Sequence, residues 1–226
     1  MREEEVLHEM YDLITPNKQE MFDRIAQDRT RHLTVVLENV YQEHNASAIL
    51  RTCDCFGVQD LYVIEKNFRY EVKRDIALGA GRWVDIHDFN FGDQPDQDCI
   101  ASLKEKGYKI VSTSPHATSR TIHDLDLSLP IALVFGTERR GISDQMKELS
   151  DEFVRIPMYG FTESFNVSVA AAITLNVLRE RLEQSQIDWK LKEDERTALK
   201  LQWCRKILRG GDALEDAIRT RLFEKE

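Results

Sequence analysis

Short apolar segments alternate with segments of helical periodicity through the middle of the chain. Six short segments contain Val, Ile or Leu in the manner typical of buried strands. These predicted strands are Leu33–Leu37, Leu61–Ile64, Trp83–Phe89, Lys109–Thr113, Ile131–Phe135 and Phe153–Pro157. In three longer segments apolar residues recur every three or four positions, which predicts helices over Asn45–Phe56, Cys99–Lys106 and Asn166–Leu182. Strands that alternate with helices predict an α/β domain with a mostly parallel sheet.

Both ends of the chain have helical periodicity without a strand pattern. We expect residues 1–30 to form an N-terminal helical extension, in which Pro16 begins the second of two helices. Residues 185–226 are predicted to form a C-terminal helical extension, whose last helix Asp212 would cap. Residues 31–184 then form the α/β domain.

Composition narrows the class of protein. The chain has 226 residues, of which 42% are hydrophobic, and this suits one globular domain with terminal additions. Its acidic start and the lack of a long apolar run predict neither a signal peptide nor a membrane helix, so we expect a cytoplasmic protein. The four cysteines lack the spacing of metal ligands, so we expect reduced thiols and no bound metal.

The charge of the chain is acidic overall and basic near its C-terminus. The formal net charge is −9, whereas proteins that bind nucleic acid are usually basic because they neutralise phosphates. Binding requires only a local patch, however. Between Arg196 and Arg209 there are five basic residues and no acidic one. We expect Lys200, Arg205 and Lys206 to contact the backbone of an RNA, with a solvated helix face as the alternative.

Two glycine-rich segments start like phosphate-binding motifs and then depart from them. Gly136–Ser143 has the glycine spacing of a P-loop, but Ile142 replaces the lysine that reaches the phosphates. Gly79–Gly81 begins like a dinucleotide fingerprint, but Val84 occupies the place of the third glycine. No G-x-S-x-G segment is present, so the nucleophile elbow of α/β-hydrolases is also missing.

Polar loops follow several of the predicted strands. Parallel α/β sheets bind ligands at the carboxyl ends of their strands, so these loops are the candidate site. They are Asn39–Asn45, Thr113–His116, Gly136–Gly141 and Met158–Asn166. In the third loop, Gly136 and Gly141 would let a ligand approach the backbone.

Each polar residue in these loops also has a purely structural explanation. Asn45 could cap the helix that it precedes, and Ser143 and Ser164 could do the same for later helices. Arg51 lies among apolar residues of a predicted helix. Burial there would be costly without an anionic partner, and the alternative is that its side chain extends to the surface.

Three ordered segments together resemble the signature motifs of the SpoU (TrmH-type) branch of the SPOUT RNA methyltransferases. They are Asn39–Arg51, Leu133–Ser143 and Ile156–Ala172. The likeness runs from about Leu33 to Leu182. The string Leu37–Val40, followed by His44, Asn45 and Ser47–Asp54, is similar in particular to the members that methylate guanosine in tRNA.

The resemblance implies a fold, a cofactor and a site. The fold would be an α/β sheet with a deep trefoil knot at its carboxyl end, in a homodimer whose subunits pair to complete each site. S-adenosylmethionine would lie in a pocket lined by Thr113, Gly136, Ile156, Met158 and Phe165. The active site would contain Asn45, Arg51, Glu138, Ser164 and Asn166. Phe165 stands where the family usually has leucine, which leaves the shape of the pocket open.

The implied activity is methylation of a ribose 2′-hydroxyl in RNA, with guanosine 18 of the tRNA D-loop as the expected target. Arg51 would stabilise the developing alkoxide, while Asn45 and Glu138 would position Arg51 and the ribose. Ser164 and Asn166 would hold the loop and the substrate. Ribosomal RNA as substrate and a catalytically inactive RNA-binding protein on the same scaffold are the alternatives.

Overall fold

The structure is a computed structural model that describes residues 2–40, 42–65, 74–90, 93–115, 120–137 and 140–223. The chain divides into two units, one formed by Thr30–Trp189 and the other by Met1–Arg29 with Lys190–Glu226. The strands are β1 (Leu33–Glu38), β2 (Asp60–Ile64), β3 (Asp85–Phe89), β4 (Lys109–Thr113), β5 (Ile131–Phe135) and β6 (Glu152–Val154). The helices are α1 (Arg2–Tyr11), α2 (Pro16–Ala26), α3 (Glu43–Cys55), α4 (Arg74–Ala77), α5 (Pro95–Glu105), α6 (Asp144–Leu149), α7 (Val167–Glu183), α8 (Glu193–Ile207) and α9 (Gly211–Phe223), with a 3₁₀ turn at Ala80–Arg82.

The six strands form one parallel sheet in the order β3-β2-β1-β5-β4-β6. At its centre β1 pairs with β2 on one side and with β5 on the other, so that Val35 lies opposite both Leu61 and Leu133. The carboxyl ends of all the strands therefore meet at one edge. This confirms the predicted α/β architecture with a parallel sheet.

Helices cover both faces of the sheet, because neighbouring strand residues point to opposite sides. Val35 and Leu133 belong to a core that α3 and α7 complete, whereas Val36 and Val134 belong to a second core that α5 and α6 complete. All four of these side chains are fully buried. Burial on both faces explains why the central strands β1, β2 and β5 are largely apolar.

The last strand is shorter than predicted. The sequence pattern indicated a strand to Pro157, but β6 ends at Val154. At Arg155 the backbone leaves β4 and forms a bridge with Thr121 instead; the Arg155 carbonyl accepts from the Ile122 N–H at 3.0 Å. Pro157 has no N–H to donate to a ladder. This change of partner turns the chain toward the carboxyl edge of the sheet.

Of the three serine and asparagine caps that the sequence suggested, the observed helices confirm one and contradict two. Ser143 caps α6 as predicted, because its side chain accepts from the Met146 N–H at 3.1 Å. Asn45 is not a cap, since α3 already begins at Glu43 and Asn45 lies in its first turn. Ser164 is not a cap either: α7 is capped by Asn166.

The helical unit is built around Trp203 of α8, which is almost fully buried. Phe22 meets its ring edge-on at 5.2 Å, and the guanidinium of Arg29 lies 5.6 Å from the ring centroid. Pro16 begins α2, as predicted. The expected cap by Asp212 is wrong, because α9 starts at Gly211 and places Asp212 inside its first turn, where a carboxylate favours the helix dipole.

Cys53 is buried and Cys55 is exposed on α3, and all four cysteines are free thiols. Within the described ranges, no group of His, Cys, Asp and Glu is arranged to hold a metal ion. Across that same part of the chain, no helix combines the length and the apolar character needed to span a membrane.

Candidate active site

A cavity of about 360 Å³ lies at the carboxyl edge of the sheet, in the α/β unit. Thr113, Phe135 and Val154, the last residues of β4, β5 and β6, form part of its wall. Parallel sheets bind ligands at this edge, and the volume is in the range of small-molecule sites. The cavity therefore lies where the polar loops were expected to meet.

All five residues expected to line a cofactor pocket border this cavity. They are Thr113, Gly136, Ile156, Met158 and Phe165. The Thr113 hydroxyl donates to the Val134 carbonyl at 3.0 Å, so it stabilises the strand end. The ring of Phe165 is 41% exposed and forms an apolar part of the wall. The structure thus brings together residues from three separate strand ends.

The loop after β5 needs glycine for reasons of its own. A Cβ on Gly136 would lie 2.4 Å from the carbonyl carbon of Gly141, because the two ends of the loop pass each other closely. Thr137 and Gly141 exchange two backbone hydrogen bonds, and Gly141 has a φ of +64°. Close packing of the loop therefore explains Gly136 and the positive φ explains Gly141, while ligand approach to their backbone stays a prediction. Glu138, between them, lies outside the described residues.

A pair of asparagines joins the first and third motif segments. The Asn166 amide Nδ2 donates to Asn45 Oδ1 at 3.1 Å, and Asn45 Nδ2 donates to Gln42 Oε1 at 3.1 Å. Asn166 Oδ1 accepts from the Ser168 N–H at 2.9 Å and so caps α7. Asn45 is only 5% exposed. Ser164, two residues before this cap, lines the cavity.

Arg51 does not line the cavity of its own chain. It is exposed on α3, and it makes no hydrogen bond or ion pair with the residues that the structure describes. The Arg51 side chain is therefore not buried, and the alternative that it extends to the surface is correct. Six residues separate it from Asn45, which corresponds to about 9 Å along the helix and a turn of about 120°.

Three basic residues that the sequence pattern did not single out also line the cavity: Arg140, Lys147 and Arg155. Lys147 donates to Asp144 at 2.7 Å and lowers the pKa of that carboxyl. Glu163 also lines the cavity. The signal was present, because Arg140 lies in the loop after β5 and Arg155 follows β6 directly, but neither belongs to a long basic run.

The basic residues expected to contact RNA lie in the helical unit, on α8. Lys200 donates to Asp23 at 2.9 Å, and its side chain is only 14% exposed. Arg205 forms an ion pair with Glu215, and Lys206 is exposed. A run that is purely basic in sequence is thus largely paired with carboxylates of other helices.

Comparison with known proteins places these features in a family. The model of the SpoU rRNA Methylase family matches residues 32–176. A tRNA (guanosine(18)-2'-O)-methyltransferase of Borreliella burgdorferi is 37% identical over 205 residues, covering 91% of this chain and 92% of that protein. A protein of the same name from Aquifex aeolicus is 33% identical over 211 residues, covering 92% and 94%.

Solved structures show the same fold. The crystal structure of the A. aeolicus TrmH/SpoU tRNA modifying enzyme has a TM-score of 0.74 and 31% identity, and the match covers 85% of this chain and 98% of that one. The SpoU methyltransferase AviRb from Streptomyces viridochromogenes, solved in complex with the cofactor AdoMet, has a TM-score of 0.57 and 20% identity, with coverage of 72% and 62%. At that identity the second likeness concerns the fold alone.

Proposed function

Because the chain belongs to the SpoU rRNA methylase family, we propose that it transfers the methyl group of S-adenosylmethionine to the 2′-hydroxyl of guanosine 18 in tRNA. The observation that carries the proposal is the cavity at the carboxyl edge of the sheet, which residues of the second and third motif segments line. Relatives named for this reaction match more than nine-tenths of the chain. We assign the chemistry to residues 31–184 and treat 1–30 and 185–226 as helical extensions.

The cavity fits the proposed cofactor. Phe135, Ile156, Met158 and Phe165 give it apolar walls, and the strand ends present backbone amides and carbonyls there. An adenine ring is recognised by such a combination of flat apolar contacts and a few placed polar groups. Bound there, S-adenosylmethionine supplies an electrophilic methyl group on a sulfonium.

The polar residues of the motifs suit the acceptor side of the reaction. A ribose hydroxyl is a weak nucleophile until negative charge develops on its oxygen. The guanidinium of Arg51 stabilises that charge, since arginine stays protonated. The Asn45–Asn166 hydrogen bond fixes the start of α3 against the start of α7, and Glu138 and Ser164 complete the polar set.

Two further features belong to the proposal: a trefoil knot and a homodimer. The backbone bridge between Arg155 and Thr121 supports the knot, because it places the chain after β6 next to the segment before β5. The homodimer is supported by Arg51, which is exposed and lies outside the cavity of its own chain. A second copy would bring its own Arg51 to this cavity.

The primary test is methyl transfer to RNA. The protein is incubated with labelled S-adenosylmethionine and unmodified tRNA, and the modified nucleotide is mapped by mass spectrometry of digested RNA. Label at the 2′-hydroxyl of guanosine 18 supports the proposal. Label in ribosomal RNA instead would identify ribosomal RNA as the substrate. Cofactor binding without methyl transfer to any RNA would indicate the catalytically inactive RNA-binding protein.

The homodimer is tested by complementation. Arg51→Ala and Asn166→Ala proteins are each expected to be inactive. If Arg51 serves the partner's cavity, mixing and refolding the two should restore part of the activity, because one site of each mixed dimer is intact. Sedimentation velocity should show a dimer. A monomer, or a mixture that stays inactive although mixed dimers form, would contradict the shared site.

The contact between α8 and RNA also remains a proposal. Changing Lys200, Arg205 and Lys206 to glutamate should weaken tRNA binding and flatten its salt dependence, because phosphate contacts release counterions. The helix content of the variant, followed by circular dichroism, controls for loss of the ion pairs within the unit. Unchanged affinity in a folded variant would show that α8 is a solvated face.

A further inference from the structure

The loop between β6 and α7 exposes two aromatic rings beside the cavity. Its two ends belong to the cavity wall, at Met158 and Glu163, whereas its tip lies outside the wall. The tip carries Tyr159 and Phe161, whose relative exposures are 96% and 109%. Buried aromatic rings remove about 150–250 Å² each from water, and exposed apolar clusters of this kind mark interaction sites. Among the described residues, neither ring therefore has a partner that covers it.

Two arginines border the same cavity from the loops after β5 and β6. Arg140 and Arg155 are both exposed, and their guanidinium groups form no hydrogen bond or ion pair with the described part of the chain. Lys147 adds a third positive charge, already shared with Asp144. Glu163 is the one carboxylate among the described residues of the wall, so these three positions form a local basic surface in a chain with a net charge of −9.

We propose that this rim, defined by Arg140, Arg155, Tyr159 and Phe161, binds unpaired nucleotides of the RNA substrate. The rings stack on splayed bases, and the guanidinium groups contact the flanking phosphates. Proteins recognise RNA loops in this way, by aromatic stacking combined with a positively charged groove. The inference rests on the proposed function and adds to it which surface holds the target loop.

Charge complementarity favours RNA over a second copy of this chain as the partner of the rim. If the rim lay across the two-fold axis of a dimer, the basic patches of the two copies would face each other and repel. A phosphate backbone brings the opposite charge. Stacking also needs flat ring faces, which bases offer in every sequence context.

Four variants test the rim: Tyr159→Ala, Phe161→Ala, Arg140→Ala and Arg155→Ala. Affinity for an unmodified tRNA transcript is measured by fluorescence anisotropy at several salt concentrations. Each lost stacking contact should weaken binding roughly fivefold to hundredfold. Each arginine variant should make the slope of log affinity against log salt less negative by about 0.7, as expected for a single-stranded phosphate contact.

Matched controls separate the rim from general surface effects. Leu129→Ala removes an exposed apolar side chain before β5, and Arg82→Ala removes an exposed arginine before β3, both at the opposite edge of the sheet. Neither should change tRNA affinity. Tyr159→Phe and Phe161→Tyr keep a ring and should bind within about twofold of the unchanged protein. Affinity for S-adenosylhomocysteine, measured by calorimetry, should be the same in the Tyr159 and Phe161 variants, because these two residues lie outside the cavity wall.

The outcomes are distinct. Unchanged tRNA affinity and salt slope in the four rim variants, with an active unchanged protein, would overturn the rim and leave the proposed function intact. Loss of self-association in sedimentation velocity, in step with lost tRNA binding, would show that the rim contacts a second copy. An unchanged protein that neither binds nor methylates tRNA would overturn the proposed function itself.

Discussion

Removing the hydrogen bond between Asn166 and Asn45 should destabilise the α/β unit by a measurable amount. Asn166 has two separate roles, since its Nδ2 donates to Asn45 Oδ1 at 3.1 Å and its Oδ1 caps α7 through the Ser168 N–H. Loss of a helix cap costs about 1 kcal/mol, and loss of a hydrogen bond between neutral groups costs about 1 kcal/mol. Asn166→Ala should therefore lower the free energy of unfolding by about 2 kcal/mol.

A second substitution separates the two roles. Asn166→Ser keeps a good capping oxygen but is too short to reach Asn45, so it should cost only about 1 kcal/mol. Asn45→Ala should cost about 2 kcal/mol, because it loses its bonds to both Asn166 and Gln42. When Asn45→Ala and Asn166→Ser are combined, the total should fall short of the sum by about 1 kcal/mol.

The assay is urea unfolding followed by circular dichroism, with methyl transfer to tRNA measured on the same proteins. The dependence of the unfolding free energy on urea should have the same slope in all variants, which would show that the same unit unfolds. If the Asn45→Ala and Asn166→Ser effects add to within about 0.3 kcal/mol, the two side chains are not coupled and the bond does not join the two segments. Methyl transfer should fall in Asn166→Ser even where the protein remains folded.

Three other substitutions or reagents test separate features. Gly136→Ala should weaken S-adenosylhomocysteine binding more than tenfold in calorimetry, because the new Cβ lies 2.4 Å from backbone atoms across the loop. The control Gly160→Ala should bind normally, since its Cβ meets nothing within 4 Å. Equal affinities of the two variants would contradict this reasoning. Arg51→Ala should abolish methyl transfer while cofactor affinity stays within about twofold; loss of both would make Arg51 structural. Burial raises the pKa of the Cys99 thiol to about 12, so this thiol stays protonated at pH 8. A thiol reagent should therefore label the exposed Cys55 but not the buried Cys99 of the folded protein. Rapid labelling of Cys99 would refute its burial.

Periodicity predicted the sheet well because its strands are buried on both faces. Such strands are continuous apolar runs, and β4 and β5 were predicted to the residue. The end of β6 was predicted wrongly, because it depends on where the backbone finds its next partner. Arg155 bonds to the segment around Thr121, more than thirty residues away in the chain. Apolar patterning has no information about such a pairing.

The site was predictable only in part, for a related reason. The strand-end rule located the loops that meet at the cavity. Local rules then failed at single residues: Asn45 was taken for a possible cap because it precedes an apolar helix, yet its side chain accepts a hydrogen bond from Asn166, 121 residues later. The roles of Arg51, Ser164 and Asn166 in methyl transfer come from family resemblance, since no spacing rule specifies a methyl donor.

The two basic surfaces of this chain show why a run of charges in sequence is a poor measure of charge available to RNA. On α8, Lys200 and Arg205 already contact Asp23 and Glu215, so a phosphate must compete with carboxylates of the same unit. Arg140 and Arg155 belong to no long basic run, but both border one cavity and form no ion pair with the described residues. A cation that exchanges one anion for another releases fewer counterions than one that was free. Per arginine or lysine removed, the salt slope of tRNA binding should therefore change more at the rim than on α8.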